Sequence, residues 1–327
     1  MIGLEPRGAS HEARPISPGI GPIGPGSQTW RINREAVLLG AGPASLLLQI
    51  AHPLVAEGVA AHSGYQTDPF GRLRRTLRTT LDLVFGDGPT ADAAVRRLNG
   101  IHARVRGEVH DAEAVRATGA ATYRALDPEL LLWVQATLVI TAVRAFSAWV
   151  GPVSAADRER FWLESRELGS RLGIPTTTGP ATWAGLEAWF EAMIGPGGPI
   201  SVTPTARQLS RSIIRPPLPL LPGPAADLLV LPGLAFLPER LRAEFGIAWS
   251  PMKGSLADAA ALGLKGWVRL VPAGWRAMPQ ARAAEHRTRS SPRPTTLRSP
   301  GPADQRGPVH VPRDPRVAVA PAGPDLG

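Results

Sequence analysis

Cysteine is absent from all 327 residues of the chain. Its absence excludes disulfide bonds, iron–sulfur clusters, thiolate-ligated haem and cysteine zinc sites in one step. A metal ion or a haem iron bound by this chain would have to take His, Asp, Glu or Tyr as its protein ligand. The lack of cysteine gives little information about the cellular compartment.

Histidine is scarce, and its spacing does not suggest a site with several metal ligands. The sequence contains no H-E-x-x-H motif and no Glu-x-x-His pair of the kind that holds two irons in a helical bundle. His52 and His62 lie ten residues apart, so on one helix their side chains would point roughly 80° apart. A haem that needs a single histidine fits this inventory better than a multi-ligand metal site.

No long uninterrupted apolar run is present. The best candidate for a membrane span is the stretch from Leu130 to Val150, but Gln135 and Arg144 interrupt it. Because a span needs about 20 mainly apolar residues, this stretch predicts a buried helix and no transmembrane segment. Residues 1–28 lack a charged start followed by an apolar run, so we expect no secretory signal and a cytoplasmic location.

Tryptophan marks the part of the chain that is expected to fold. All nine tryptophans lie between Trp30 and Trp275, and a hydrophobic content of 43% supports a sizeable core. Residues 1–28 and 284–327 are rich in Pro, Gly, Ser or Arg, so both are predicted to be disordered around a domain at 29–283. From Arg276 onward nine arginines face four acidic residues, so the basic excess lies largely in the tail and predicts no nucleic-acid partner.

The pattern of apolar residues predicts an all-α fold of many helices, without an alternating run of strands. Residues 216–238 alternate Pro with Leu, Val and Phe, and they cannot form one helix because each Pro removes a backbone donor. The predicted helices in the rest of the domain are His52–His62, Asp127 to about Trp149, Ser154–Leu172, Thr182–Ile194, Pro204–Ile214 and Leu256–Leu270.

The stretch from Asp68 to Gly107 predicts two further helices. Asp68 is a good N-cap, and Pro69 suits the first helical position. Gly86 and Gly88 are expected to end the first helix; Thr90 can cap the second, and Gly107 would stop it. Helix geometry then gathers polar residues on one face of each helix, namely Arg72, Arg75, Thr76 and Thr79 on the first, and His102 and Arg106 on the second.

Antiparallel packing of these two helices would let cations, a hydroxyl and an imidazole face one cavity. The same residues also allow a plainer interpretation. An arginine-rich helix face is usually solvated, and a lone histidine is usually a buried, hydrogen-bonded residue of the core. Spacing alone leaves both interpretations open.

The segment Ala36–Ser45 imitates a dinucleotide-binding fingerprint, because apolar residues precede Gly40-Ala-Gly42. That motif binds a pyrophosphate only inside a β-α-β unit, where a helix N-terminus faces the ligand. Here the third glycine is replaced by Ser45, and helices are predicted where the second strand should lie. A close contact between two backbones at a helix break is the structural alternative.

Several short motifs are similar to those of a known family: Gln49-Ile-Ala-His52-Pro53, Arg72-x-x-Arg75-Thr76, Phe85-Gly86-Asp87, His102-x-x-x-Arg106-Gly107, Tyr123-Arg-Ala-Leu-Asp127-Pro128 and Trp133-Val-Gln-Ala-Thr, with weaker matches at Leu237-Pro238 and Trp249. Together they cover most of residues 30–283. In this combination the chain resembles the family that contains bacterial rubber oxygenase (latex clearing protein) and the fungal MpaB-type oxygenase of mycophenolic acid biosynthesis.

This resemblance implies a globin-like helical domain that binds haem b. It places His102 as the proximal ligand of the iron and Arg106 near a haem propionate or in support of the ligand. Arg72, Arg75 and Thr76 match the distal Arg-x-x-Lys-Thr of rubber oxygenase, with Arg75 in place of the lysine. The planar, non-titrating guanidinium of Arg75 keeps the charge but cannot ligate iron as a neutral amine could. Glu57 lies close to the acid proposed as the base in that enzyme.

The reaction implied by the family is oxidative cleavage of carbon–carbon double bonds in isoprenoid chains. The expected partners are therefore dioxygen and a small hydrophobic, unsaturated substrate. Two other functions remain open at this point. One is a haem carrier or gas sensor without turnover, and the other is a flavin or nicotinamide enzyme that uses the Gly40–Gly42 region.

Overall fold

The computed structural model describes residues 23–62, 69–215 and 223–290; at 69, 70, 72, 73 and 223–227 it describes the backbone alone. Three predictions concern residues outside this part: the disorder of 1–22 and 291–327, the N-cap Asp68, and the irregular proline-rich residues 216–222. Within it the chain is mostly helical, which confirms the predicted all-α class. One pair of three-residue strands, β1 (Arg106–Glu108) and β2 (Thr122–Arg124), was not predicted.

The helices follow one another along the chain, with a 3₁₀ turn at Ala36–Ala41 between the first two. The first eight are α1 (Gln28–Asn33), α2 (Gly42–Ile50), α3 (Pro53–His62), α4 (Pro69–Phe85), α5 (Gly88–His102), α6 (Ala112–Thr118), α7 (Pro128–Trp149) and α8 (Ala155–Arg171). The others are α9 (Trp183–Ile194), α10 (Pro204–Ile214), α11 (Gly223–Leu234), α12 (Glu239–Glu244), α13 (Pro251–Leu270), α14 (Ala273–Arg276) and α15 (Pro279–Ser290).

Helix α7 is the centre of the main hydrophobic core. Asp127 caps its N-terminus by accepting a hydrogen bond from the Glu129 amide at 2.9 Å, and Pro128 occupies the first turn. Trp133 is completely buried, stacks on Phe190 with ring centroids 5.5 Å apart, and donates its indole N–H to the Leu48 carbonyl at 3.1 Å. These contacts tie α2 and α9 to α7, so the predicted buried helix is the core of the domain.

By length and composition alone, α7 could cross a membrane, but 67% of its apolar window is buried inside the domain. A second segment passes the same test only if residues 36–50 and 53–62 are counted as one span. These two pieces meet at an angle of 105°. In the described residues the apolar character of α7 is therefore accounted for by packing against its neighbours.

Helices α4 and α5 form a tight hairpin whose details differ from the prediction. The cap of α5 is Asp87, whose carboxylate accepts the amide of Thr90 at 3.0 Å; Thr90 itself is not the cap. Helix α5 ends at His102, four residues before Arg106, so these two residues do not share a helix face. Gly107 lies in β1, where a Cβ would come within 2.8 Å of the Tyr123 hydroxyl.

The segment around Gly40 is a 3₁₀ turn packed against α11. A Cβ added at Gly233 would collide with the Gly40 carbonyl, and one added at Gly40 would meet the Trp149 ring at 3.5 Å. In the described part of the chain no strand precedes this turn, and the single sheet has two strands. Gly40 therefore serves close packing, whereas a Cβ at Gly42 would meet nothing within 4 Å among the described residues. The β-α-β context that a dinucleotide site requires is not formed there.

The packed part of the chain extends beyond the predicted limits of 29 and 283. At the N-terminal side Ile23 is buried, and the Ser27 side chain caps α1. At the other side α15 continues to Ser290, buries Ala284, and joins α1 through an ion pair of 2.9 Å between Glu285 and Arg34. The sequence did not predict that this segment packs on the domain, because its buried residues are small alanines, which give only a weak signal of apolar periodicity.

Candidate functional site

Helix α3 carries one buried acid, Glu57, on the side that packs against α6 and β2. Its Oε2 accepts a hydrogen bond of 2.9 Å from the backbone amide of His110. This contact satisfies one oxygen of the carboxylate in a largely apolar setting. The backbone that follows β1 thus positions Glu57, the predicted base, and the residue is only 6% exposed.

Tyr123 joins this acid to the strand pair. Burial and the negative charge of Glu57 raise the pKa of the Tyr123 hydroxyl, with burial as the larger cause. The Tyr123 ring lies against Gly58, where a Cβ would be 3.5 Å away, and meets the His62 ring at 6.1 Å in an edge-on arrangement. Tyr123 was predicted only as part of a motif, yet its buried position next to Glu57 makes it part of the site.

His102 ends α5 and is half-buried. Burial lowers the pKa of its imidazole, so the ring is neutral at physiological pH. Its Nδ1 is buried without a hydrogen-bond partner in the described residues. A neutral imidazole with an unsatisfied nitrogen is suited to bind a metal or a polar ligand group.

Two arginines lie directly opposite each other on the strand pair. Arg106 of β1 is the Cα partner of Arg124 of β2, and both side chains are exposed. The backbone carbonyl of Arg106 lies 3.2 Å from His62 Nε2. Because like charges in such a cross-strand pair are destabilising, an anionic group between them would be stabilised. Arg124 was not predicted, and its position becomes visible only through the register of the two strands.

The predicted polar face of α4 is formed in part. Arg75 and Thr76 are both exposed, and the Thr76 carbonyl accepts a hydrogen bond from the Thr80 hydroxyl at 3.1 Å. Arg72 lies in the helical backbone, but its side chain is outside the described part. Cavities of about 160 and 350 Å³ lie elsewhere among the described residues and are not lined by predicted site residues.

His52, a second buried histidine, lies at the turn between α2 and α3. Its Nδ1 accepts the Leu54 amide at 3.3 Å, and its carbonyl accepts the Ala56 amide at 3.0 Å. Burial, opposed in part by the charge of Asp127, lowers the pKa of His52 to about 4. His52 therefore serves as a neutral cap of α3. No group of three potential metal ligands occurs among the described residues.

The chain is similar to known proteins over most of the described domain. The sequence model of the family described as "ER-bound oxygenase mpaB/B'/Rubber oxygenase, catalytic domain" matches residues 29–273. The uncharacterized proteins Rv2237 of Mycobacterium tuberculosis and Mb2261 of Mycobacterium bovis are each 29% identical over 216 residues, which is 63% of this chain and 79% of theirs. No solved structure was found to match. The chain belongs to the family of the mpaB and rubber oxygenase catalytic domain.

Proposed function

We propose that the chain is a haem b-dependent oxygenase that acts on a hydrophobic, unsaturated substrate of isoprenoid type. Membership of an oxygenase catalytic-domain family supports an oxygenase role. The observation that carries the finer proposal is His102, whose neutral, half-buried ring keeps one nitrogen unsatisfied at the end of α5. The helical domain would hold the haem in a globin-like manner.

The residues present fit a haem with one protein ligand. The low pKa of His102 keeps its imidazole deprotonated, which iron coordination requires. The chain has no thiolate to compete for this role. Arg106 and Arg124 supply two exposed guanidinium groups directly opposite each other, which is the charge arrangement that a propionate carboxylate would satisfy.

When bound, the haem iron supplies activation of dioxygen, and the rest of the chemistry falls to the protein. Arg72, Arg75 and Thr76 would donate hydrogen bonds to oxygen atoms on which negative charge develops. Arg75 and Thr76 are exposed, so their assignment rests on the family motif. Since Arg75 replaces the lysine of rubber oxygenase, it would act as a fixed donor and never as a ligand.

Glu57 would take a proton from the substrate or from an intermediate. Its Oε2 is engaged by the His110 amide, so Oε1 is the oxygen left to act as the base. Tyr123 would be a positioning residue, because its buried ring lies against Gly58, the next residue after Glu57, and the charge of Glu57 helps to raise the pKa of its hydroxyl. This arrangement keeps the carboxylate in one orientation and shields it from water.

The visible spectrum of the freshly purified protein tests the proposal. We expect a Soret band, and His102→Ala should lose most of the haem while retaining helical circular dichroism. His52→Asn is the matched control, since His52 already serves α3 as a cap and should leave haem content unchanged. Full haem content and an unaltered spectrum in His102→Ala would show that the ligand assignment is wrong.

Turnover distinguishes an oxygenase from a haem carrier or gas sensor. The reduced protein, incubated with terpenoid and fatty alkenes under labelled dioxygen, should yield labelled aldehydes or ketones. Thr76→Ala should retain haem but slow this reaction by roughly 10²–10³, the usual effect of removing one preorganised donor. Oxygen binding without a labelled product across a broad panel would favour the carrier or sensor function.

A further inference from the structure

Helix α13 touches the rest of the domain with one narrow face. It packs on α7 and α11 through four apolar residues, Ala257, Ala261, Leu264 and Val268. Only Ala257 and Val268 of its 20 residues are fully buried. Most of the surface of α13 therefore faces away from its own domain.

The outward surface of α13 is apolar where a charged surface would be expected. Five large apolar side chains are exposed on it: Met252 at 70%, Leu256 at 44%, Leu262 at 70%, Trp267 at 46% and Leu270 at 85%. Together they leave on the order of 600 Å² of apolar surface in water, which is the upper end for a monomer. An apolar surface of this extent calls for a partner.

The spacing of these residues is that of a helix–helix seam. In a heptad with Leu256 at position a, positions a and d hold Met252, Leu256, Ala259, Gly263, Gly266 and Leu270. Leu262 and Trp267 fall at the flanking positions g and e. The four residues that pack on the rest of the domain fall at positions b and f. Asp258 and Lys265 fall at position c, away from the seam. Every exposed large apolar residue of α13 thus lies where a second helix would cover it.

Two glycines in this seam have no packing role among the described residues. A Cβ at Gly263 or at Gly266 would meet nothing within 4 Å. Glycine inside a helix costs up to about 1 kcal/mol relative to alanine, so an exposed pair of them is unfavourable without a compensating contact. The close approach of another helix backbone supplies such a contact. A flat membrane surface would not require small residues there.

We infer that α13 pairs with α13 of a second copy of this chain, in an antiparallel arrangement about a two-fold axis. Two faces of this size would together bury roughly 1,200 Å², within the range of specific protein interfaces. A two-fold axis closes the assembly at two copies, because the same surface is used on both sides.

In the antiparallel register, small residues meet near the two-fold axis, where the two backbones come closest, and large residues meet at the ends of the helices. Position a of one helix then faces position d of the other, which places Leu256 against Gly266, Ala259 against Gly263 and Met252 against Leu270 of the second copy. Lys253 comes beside Trp267 of the second copy, where a cation favours the face of an aromatic ring. In a parallel pair, Gly263 and Gly266 would each face the same glycine of the second copy, which would leave a gap between the layers of large side chains. Opposed helix dipoles also favour the antiparallel pair.

Sedimentation velocity over a roughly 100-fold range of protein concentration tests the pairing, because association depends on mass action. The wild-type protein should approach twice its chain mass of 34.6 kDa. Gly263→Leu should remain at the single-chain mass with an unchanged or higher Tm, since the added side chain meets nothing in the monomer and favours the helix. Asp258→Leu adds the same side chain at position c and should still pair.

Cysteine substitution tests the direction of pairing, because the chain has no cysteine of its own. Ala259→Cys and Gly263→Cys chains, mixed and oxidised, should form a disulfide-linked dimer faster than either chain alone. Dimers that form as readily in the separate samples would overturn the antiparallel register.

Three results would overturn the pairing itself. The first is a wild-type protein of single-chain mass at every concentration, and the second is a Gly263→Leu protein that associates like the wild type. The third is a protein that associates only after residues 291–327 are removed, which would show that the tail covers this face. Flotation of a monomeric wild-type protein with phosphatidylcholine–phosphatidylglycerol vesicles would instead assign the face to a membrane.

Discussion

The buried imidazole of His52 should make the stability of the domain depend on pH in a way that one substitution can isolate. The ring is 8% exposed and accepts a backbone hydrogen bond through Nδ1, so protonation in the folded state is strongly disfavoured. Its folded-state pKa is about 4, whereas an unfolded chain titrates near 6.5. Between these values the unfolded chain binds a proton that the folded chain does not.

The sign and size of the effect follow from linkage. Because the folded pKa is the lower one, the contribution of His52 to stability is fully present above about pH 6.5 and is lost as the pH falls toward 4. Between pH 7 and pH 5 the loss works out at about 2 kcal/mol for a shift of this size. A loss of this size is a sizeable part of the 5–15 kcal/mol that typically stabilises a domain.

Urea denaturation of the wild type and of His52→Asn at several pH values between 7 and 5 measures this difference. The asparagine side chain can still accept the Leu54 amide but does not titrate. Wild-type protein should lose about 2 kcal/mol more than the variant over this range, since contributions of His102 and the carboxylates cancel in the comparison. Parallel pH profiles for the two proteins would refute the argument that His52 is buried in its neutral form.

Truncation after Ser290 should leave Tm unchanged, whereas truncation after Ala284 should cost about 1–3 kcal/mol, because it removes the ion pair between α15 and α1. Thermal melts of the two proteins would test this, and equal Tm values would show that the end of α15 does not stabilise the domain. Gly233→Ala should cost about 1–3 kcal/mol in urea denaturation, because its Cβ collides with the Gly40 carbonyl. The exposed Gly274→Ala is its control, and equal stability of the two variants would contradict the close contact.

Local sequence signals predicted the fold class and most helices of the core. Asp127-Pro128 and Ser154 each begin a helix where their side chains predicted it, because N-capping depends only on residues within one turn. The same local rule misassigned Thr90, since Asp87, three residues earlier, accepts the Thr90 amide and begins the helix before Thr90 is reached. When two nearby residues can both cap a helix, the geometry of the preceding loop determines which of them does so, and local sequence does not show that geometry.

The candidate site was harder to predict, because its geometry depends on pairing across the chain. His102 was singled out by its helical spacing together with the family motif, and its burial then lowers the pKa of its imidazole. Arg106 was placed on the same helix, but the chain turns into a strand and sets it against Arg124. That turn depends on Gly107, whose missing side chain admits the Tyr123 hydroxyl. A glycine that ends a helix and a glycine that admits a distant ring look identical in sequence.

The first and last helices of the described domain are fastened to each other. The Met278 amide donates to the Arg34 carbonyl at 2.7 Å, Glu35 forms an isolated bridge with Ala277, and Ile23 shares an apolar cluster with Ala281. Force applied at the two ends of the described domain would therefore act on these contacts before it reached α7. Because Ala277 and Met278 lie far along the chain from Arg34 and Glu35, these contacts cannot form until most of the domain has been synthesised.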